Sequence, residues 1–378
     1  MHKDLNYHHK IFRQSAELPE TWDKLSNSSI FLEKAYLSAL EISAPQNVFN
    51  SFVGVYQDTR LCATALIQQI DLNQLETLGT RDHGLKIKIR DFLFKNYASN
   101  LLIVGNNMLT GQHAIAWDEQ TSPKDILAYI KKNVLPEYPH HHLHILKDFS
   151  AAELSNVENP ILQQVLKFSS QPSMCFKVQE GWNKEQDYVD ALSKKYRDQY
   201  KRARKKAIGI EKRQLNLAEI IEQEDRIYDL YVHVAENAHA NTFFLAKNHF
   251  SSLKEKMGDA FRFFAYFEAG QLIGFNTLFQ HDELLETYFL GYDPGIQKEK
   301  MLYLNMLYDM VGCSIVNGFQ QINFGRTAME IKSSIGAQPI EMYGFMEHQN
   351  KWINRYLASI FKFLEPEAAW TQRHPFRD

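Results

Sequence analysis

Hydrophobic positions between Leu284 and Phe345 change period along the chain. Leu284-Leu-Glu-Thr-Tyr-Phe-Leu-Gly-Tyr292 is an aromatic and aliphatic run closed by the turn signal Asp293-Pro294-Gly295, which predicts a strand. Met301, Leu304, Met306 or Leu307, Met310, Val311 and Ile315 then recur at helical spacing, which predicts a helix over Lys300–Asn317 with Gly318 as its C-cap. Gln320–Phe324 reads as a second strand, Thr327–Gly336 as a short helix and Pro339–Phe345 as a third strand. Strand, crossover helix and strand make a parallel unit, and such a unit opens a ligand crevice at the carboxyl ends of its strands.

The strand period returns twice more in hairpins. Phe52–Tyr56 and Leu61–Gln68 flank the turn Gln57-Asp-Thr-Arg60, and Phe261–Phe267 and Leu272–Phe279 flank Glu268-Ala-Gly-Gln271. The two hairpins align, so a duplicated domain is the economical explanation. Helices are predicted over Ser28–Leu40, Ser122–Val134 and Leu217–Ala240. Lys86–Tyr97 fits strand and helix equally. Leu101–Val104 is a buried strand followed by Gly105-Asn106-Asn107 and Thr110-Gly111-Gln112-His113, which is either a site loop using Asn106 and His113 or a plain turn. The polar exit Glu236–Phe244 either reaches a cleft or simply ends its helix. A linker is expected over Ser155–Pro172, with a strand at Met174–Val178. The fold class is therefore α/β (α+β), with domains at 1–165 and 166–378.

Composition adds bounds. The chain has 378 residues, 44% hydrophobic and 23% charged, which suits two globular domains. Net charge is −3, so bulk electrostatics give no sign of nucleic-acid binding. Cys62, Cys175 and Cys313 are scattered and odd in number, which points to a reducing compartment. No run reaches the ~18 apolar residues of a membrane span, and Met1–His9 has no signal-peptide core. The expectation is a cytoplasmic protein. His140–His142 and His144 lack ligand partners at metal spacing, so no metal is expected and the histidines are read as solvent-exposed.

One local feature departs from that neutral background. Lys194–Lys206 holds eight basic residues and one acid, Asp198. Tyr196, Tyr200, Ala203 and Ala207 share a helical face, so the bases project outward. The run is either an electropositive wall for phosphates, using Tyr196, Arg197, Lys201 and Arg204, or a solvated basic helix.

Over residues 174–348 the chain resembles the GNAT acyltransferase superfamily, and more narrowly its tandem branch with the FemABX peptidoglycan aminoacyltransferases. The resemblance lies in FFAYFEAGQLIGFNTLF, LETYFLGYD, GFQQINFGRTAMEIKSSIGAQP and the basic KKYRDQYKRARKKA. It implies two GNAT-like domains, each a mixed twisted sheet flanked by helices. The first would be a degenerate copy or substrate platform and the second an N-acyltransferase. It also implies a split between the strands Leu284–Tyr292 and Gln320–Phe324 where an acyl donor enters. The backbone of Thr287, Tyr288, Phe289 and Leu290 would hold the donor carbonyl, and Gln297, Lys298, Lys300 and Arg326 would contact donor phosphate. The usual Gly-rich pyrophosphate loop is replaced by Gln297-Lys-Glu-Lys-Met-Leu302, and the usual Tyr before Gly336 by Lys332. Both changes turn the expected donor from acetyl-CoA or another acyl-CoA toward an aminoacyl-tRNA, with a cell-wall precursor as acceptor.

Acyl transfer to an amine needs a proton acceptor and a donor to the developing oxyanion. Candidates are Glu286 and Asp293 as acceptors, Tyr292 or Tyr288 as hydroxyl donor, and Arg326 and Lys332 as cations. Asp293 could instead cap its Pro-Gly turn, and Arg326 could pair with Glu330. A non-catalytic GNAT-like module that binds ligand without turning it over is the alternative reading.

Overall fold

The computed structural model describes residues 6–26, 29–75, 92, 95–237, 241–364 and 370–377. Its strands are β1 (Tyr7–Phe12), β2 (Val48–Gln57), β3 (Arg60–Asp71), β4 (Asn100–Val104), β5 (Ile115–Trp117), β6 (Leu143–Ser150), β7 (Leu166–Lys177), β8 (Ile210–Gln214), β9 (Phe261–Glu268), β10 (Gln271–His281), β11 (Leu284–Tyr292), β12 (Gln321–Asn323) and β13 (Gln338–His348). The chain divides into two compact units. One comprises Met1–Ser170, His239–His249 and Glu341–Glu367, and the other Gln171–Ala238, Phe250–Ile340 and Ala368–Asp378. A single cut at 165/166 does not describe this interleaving.

In the first unit β1, β2, β3 and β4 form an antiparallel meander. β6 joins β4 in parallel, β13 pairs antiparallel with β6 through Met342–His348, and β5 adds to β3. Val53, Val55, Ala63, Ala65, Leu102 and Val104 pack on the helix Pro123–Tyr129 in one core. The helix Lys351–Leu364 packs through Leu357 and Phe361 into a second cluster with Leu101, Leu143 and Met346.

The second unit repeats the order. β8, β9, β10 and β11 are an antiparallel meander, β12 joins β11 in parallel, and β7 pairs antiparallel with β12 through Cys175–Lys177. Phe176, Leu285 and Ile322 face a core built with Tyr188, Tyr196 and the helix Leu302–Val316. The β9–β10 hairpin turns through Ala269 and Gly270, both at positive φ, as a two-residue turn requires.

Several expectations change here. The expected Ser28–Leu40 helix is a 3₁₀ turn, Ile30–Leu32, followed by the helix Lys34–Ile42, and Ser28 lies outside the described residues. Most of Lys86–Tyr97 also lies outside them. The expected linker Ser155–Pro172 holds the end of the helix Ala151–Val157, a 3₁₀ turn and the start of β7. Ser150 and Glu153, just ahead of that stretch, form the capping box that starts this helix. Leu217–Ala240 is two helices, Leu217–Glu222 and Glu224–Glu236. The Lys300 helix begins at Leu302, because Pro294–Lys300 forms its own short helix and Met301 between them is left-handed. The histidines are not all exposed: His141 is buried between Gln69 and the Tyr138 carbonyl.

Candidate functional site

The second unit's sheet forks. β11 and β12 run in register for three residues, Leu284–Gln321, Leu285–Ile322 and Glu286–Asn323. β12 then ends at Asn323 while β11 runs on to Tyr292. Past the fork, Thr287–Leu290 are half-buried rather than sealed in the core. β11 carries a bulge here, with Tyr288 and Phe289 together opposite Thr277 of β10. Thr277 Oγ1 donates to the Phe289 carbonyl at 2.7 Å and fixes the bulge. A bulge re-aims the backbone locally, so the bulged segment offers its outer edge away from the regular ladder.

A polar rank crosses the base of the fork. Cys175, Asn323 and Glu286 are register partners on three adjacent strands, so their side chains share one face. The other face holds Phe176, Ile322 and Leu285, all in the core. Asn323 Oδ1 accepts from Ser173 Oγ at 2.5 Å and from the Gly325 amide at 2.9 Å, and the Asn323 side chain also hydrogen-bonds Glu286. Glu286 is 8% exposed, and burial pushes its carboxyl up to about 8 against the Asn323 hydrogen bond. Burial, then the Glu286 charge, pushes the Cys175 thiol up to about 11, so this thiol is no nucleophile.

Beyond β12 the loop holds Gly325, Thr327 and Ala328 at positive φ, a strained course for a β-branched Thr. Lys332 clamps it. Its Nζ donates to the carbonyls of Phe324 at 2.6 Å, Gly325 at 3.3 Å and Arg326 at 2.6 Å. Burial pulls the Lys332 ammonium down to about 7. Lys332 therefore shapes the wall of the fork with all three of its donors engaged. Arg326 Nε donates to the Gln171 carbonyl. Glu330 pairs with Arg373 of the C-terminal segment rather than with Arg326.

The remaining candidates separate. Tyr292 lies six residues beyond Glu286, roughly 20 Å along the strand, with its ring near His233 and Tyr303. Tyr288 packs edge-on against Phe279 and Phe289. Asp293 caps the helix Pro294–Lys300 through the Gly295 amide and pairs with Arg226 at 2.7 Å. Partial desolvation pushes its carboxyl up, but Arg226 and the amides outweigh it and hold it below the ordinary range. Lys300 pairs with Glu268 at 2.5 Å, Gln297 is half-buried and Lys298 is exposed. The segment expected as a phosphate loop is helical, and the Gln297 amide is spent on the Asp293 carbonyl. The carbonyls of Lys300 and Met301 are capped by Asn305 Nδ2.

On the helix Lys194–Lys206, Tyr196 is core. Arg204 pairs with Glu185 and Asp309 between the rings of Tyr200 and Tyr308. Neither is available to a ligand. Arg197 and Lys201 instead line a cleft of about 610 Å³ with Ser193, Lys194, Asp198 and Arg377. Arg197 Nη2 and Arg377 Nε both donate to the Leu192 carbonyl, which sets the two guanidinium groups side by side. In the first unit, Asn106 is buried, bonded to Tyr36 Oη and the Met108 amide, and His113 packs against Phe31 near Ser29.

Sequence reasoning missed Asn323, Ser173 and Arg377. An Asn between Ile322 and Phe324 at the end of a short strand was the available signal for the first. Nothing local marks the other two.

Two GNAT-like sheets in tandem define the fold. The solved structure of FemX aligns over 94% of this chain and all of its own, at 9% identity and a TM-score of 0.55. A tandem GNAT protein from the clavulanic acid biosynthesis pathway aligns over 91% of this chain and 99% of its own, at 8% identity and TM-score 0.50. A conserved protein of unknown function from Bacteroides thetaiotaomicron aligns over 90% and 99%, at 11% identity and TM-score 0.51. No curated protein matches in sequence. The FemAB-like family, described as peptidoglycan biosynthesis/recognition, matches residues 112–378, and the chain belongs to that family. Among the described residues no helix is long and apolar enough to cross a membrane, and no cluster of His, Cys, Asp and Glu could hold a metal ion.

Proposed function

We propose that the second unit transfers an acyl or aminoacyl group to an amine of a cell-wall precursor. The observation that carries this reading is the parting of β11 and β12 directly past a buried carboxyl, Glu286. In this reading the donor carbonyl lies against the Thr287–Leu290 stretch of β11 past the end of β12. Backbone N–H groups there stabilise the oxyanion as the amine nitrogen bonds to the carbonyl carbon. Glu286, poised near neutrality, accepts the amine proton and returns it to the leaving oxygen or sulfur as that bond breaks. Asn323 holds the carboxyl and Lys332 holds the loop opposite. Asp293 and Tyr292 fall outside this assignment, as a cap and a distant ring.

For the donor, the helical Pro294–Lys300 segment offers no Gly-rich cradle, whereas Lys194, Arg197, Lys201 and Arg377 line a basic cleft. An aminoacyl-tRNA is therefore favoured over an acyl-CoA. A thermal-shift titration with acetyl-CoA, coenzyme A and a charged-tRNA pool tests this. A shift with charged tRNA, weakened by salt and by Arg197→Ala, is expected. A saturating shift with acetyl-CoA alone would return the reading to a small-acyl transferase. Binding of either donor without turnover in any amine assay would favour the non-catalytic module.

A further inference from the structure

The helix Lys351–Leu364 of the first unit has two dressed faces. Leu357 and Phe361 are spent on the core, Phe361 against Phe168. The opposite ridge presents Trp352, 75% exposed, and Tyr356, 58% exposed, at a spacing of four. Lys351, Arg355 and Lys362 are exposed around them, and Lys351–Leu364 contains no Asp or Glu. The helix start is braced: Asn350 Oδ1 accepts from the Trp352 amide, Asn354 Oδ1 from the His348 amide, and His348 Nε2 contacts the Tyr97 carbonyl. That contact brings Tyr97, itself an exposed ring, to the same end of the helix.

Trp352 and Tyr356 stand together on a face the core does not use, and grouped exposed rings rimmed by polar side chains mark an interaction surface. The rings stand on a convex ridge, whereas small ligands take concave sites. Indole and phenol rings flanked by Lys and Arg, on a helix whose other side is anchored, match the chemistry of an anionic lipid interface. There the rings enter the headgroup level and the cations meet lipid charge. We infer that this ridge docks the first unit peripherally on an anionic lipid surface. The inference stands independently of the transferase reading, because it uses residues of the first unit alone.

The test is co-sedimentation of the full chain with phosphatidylcholine vesicles and with vesicles in which part of that lipid is replaced by phosphatidylglycerol. Binding is expected only to the second kind, and it should weaken as salt rises. Trp352→Ala should lower the bound fraction about tenfold, and Lys351→Glu with Arg355→Glu should lower it by at least as much. Lys132→Glu, a control on an exposed lysine of another helix of the same unit, should leave it unchanged. All these sites are exposed, so the melting temperature should not move. A blue shift of tryptophan emission on vesicle addition, lost in Trp352→Phe, would place the ring in the interface. Equal sedimentation of wild type and Trp352→Ala, or no sedimentation with either vesicle, would overturn the inference. So would a concentration-dependent dimer in solution abolished by Trp352→Ala, since the ridge would then be a subunit contact.

Discussion

Two side chains at the fork carry opposite pH signatures. The Glu286 carboxyl is raised from 4.5 to about 8, so the folded state holds a proton that the unfolded state releases. Its contribution to stability is complete below the unfolded value and is lost as pH rises toward 8. Lys332 is lowered from 10.5 to about 7, so the folded state binds fewer protons across that window and stability recovers as pH climbs through it. Stability of the second unit should therefore be lowest between those two values, near neutrality. Glu286→Gln is expected to remove the falling limb: its stability should match wild type below pH 4.5 and lie above it beyond pH 8, by on the order of 5 kcal/mol. The same variant should lose transfer activity by about a hundredfold or more. An unchanged pH profile of melting would mean that Glu286 is not desolvated as described. Lys332→Met leaves three loop carbonyls without their donor and should cost about 3 kcal/mol, read from denaturant unfolding. The sequence marks Glu286 and Lys332 as titratable residues beside a strand and a Gly. Their states were not legible there, because desolvation depends on register partners far along the chain, such as Cys175 and Asn323.

The elements with local signals were legible: both hairpins, β11 and the helix after it follow from period and turn chemistry. The C-terminal segment was not, because it has no period at all. Phe376 stands among Phe176, Trp182 and Tyr188, and the Ser193 and Arg377 amides donate to the Pro375 and Ala191 carbonyls. The Arg373 amide also donates to Ser333 Oγ, next to Lys332. This strap ties the clamp of the fork to the start of the basic helix. Gly336, at φ +106°, has room only because it lacks a Cβ, which would meet the Phe376 ring at 2.5 Å. Phe376→Ala should destabilise the second unit by about 2 kcal/mol. It should also loosen the Lys332 loop, seen as faster amide exchange over residues 324–334. Loss of stability with unchanged exchange there would reduce the strap to simple core packing.

At the scale of the whole molecule, duplication and chain order pull against each other. Both units use the same sheet plan, a four-strand antiparallel meander, a parallel fifth strand and an antiparallel sixth. The sixth strand of the first unit, Met342–His348, comes from beyond nearly all of the second, and the helix carrying Trp352 follows it. Sequence pattern exposes the plan because hairpins repeat, but the source of the sixth strand is a pairing across about 200 residues, and no local signal encodes it. It follows that residues 1–165 alone leave the β6 edge without a partner, and Leu143 and Leu101 without the covering Met346 and Leu357. Such an edge aggregates or fails to close. Expressed alone, that fragment should show no cooperative melting, and a second fragment spanning 341–367 supplied in trans should restore part of it by pairing with β6. Cooperative melting of residues 1–165 by themselves would show instead that the first sheet is complete without its sixth strand. The interleaving would then be a consequence of chain order and not a requirement of folding.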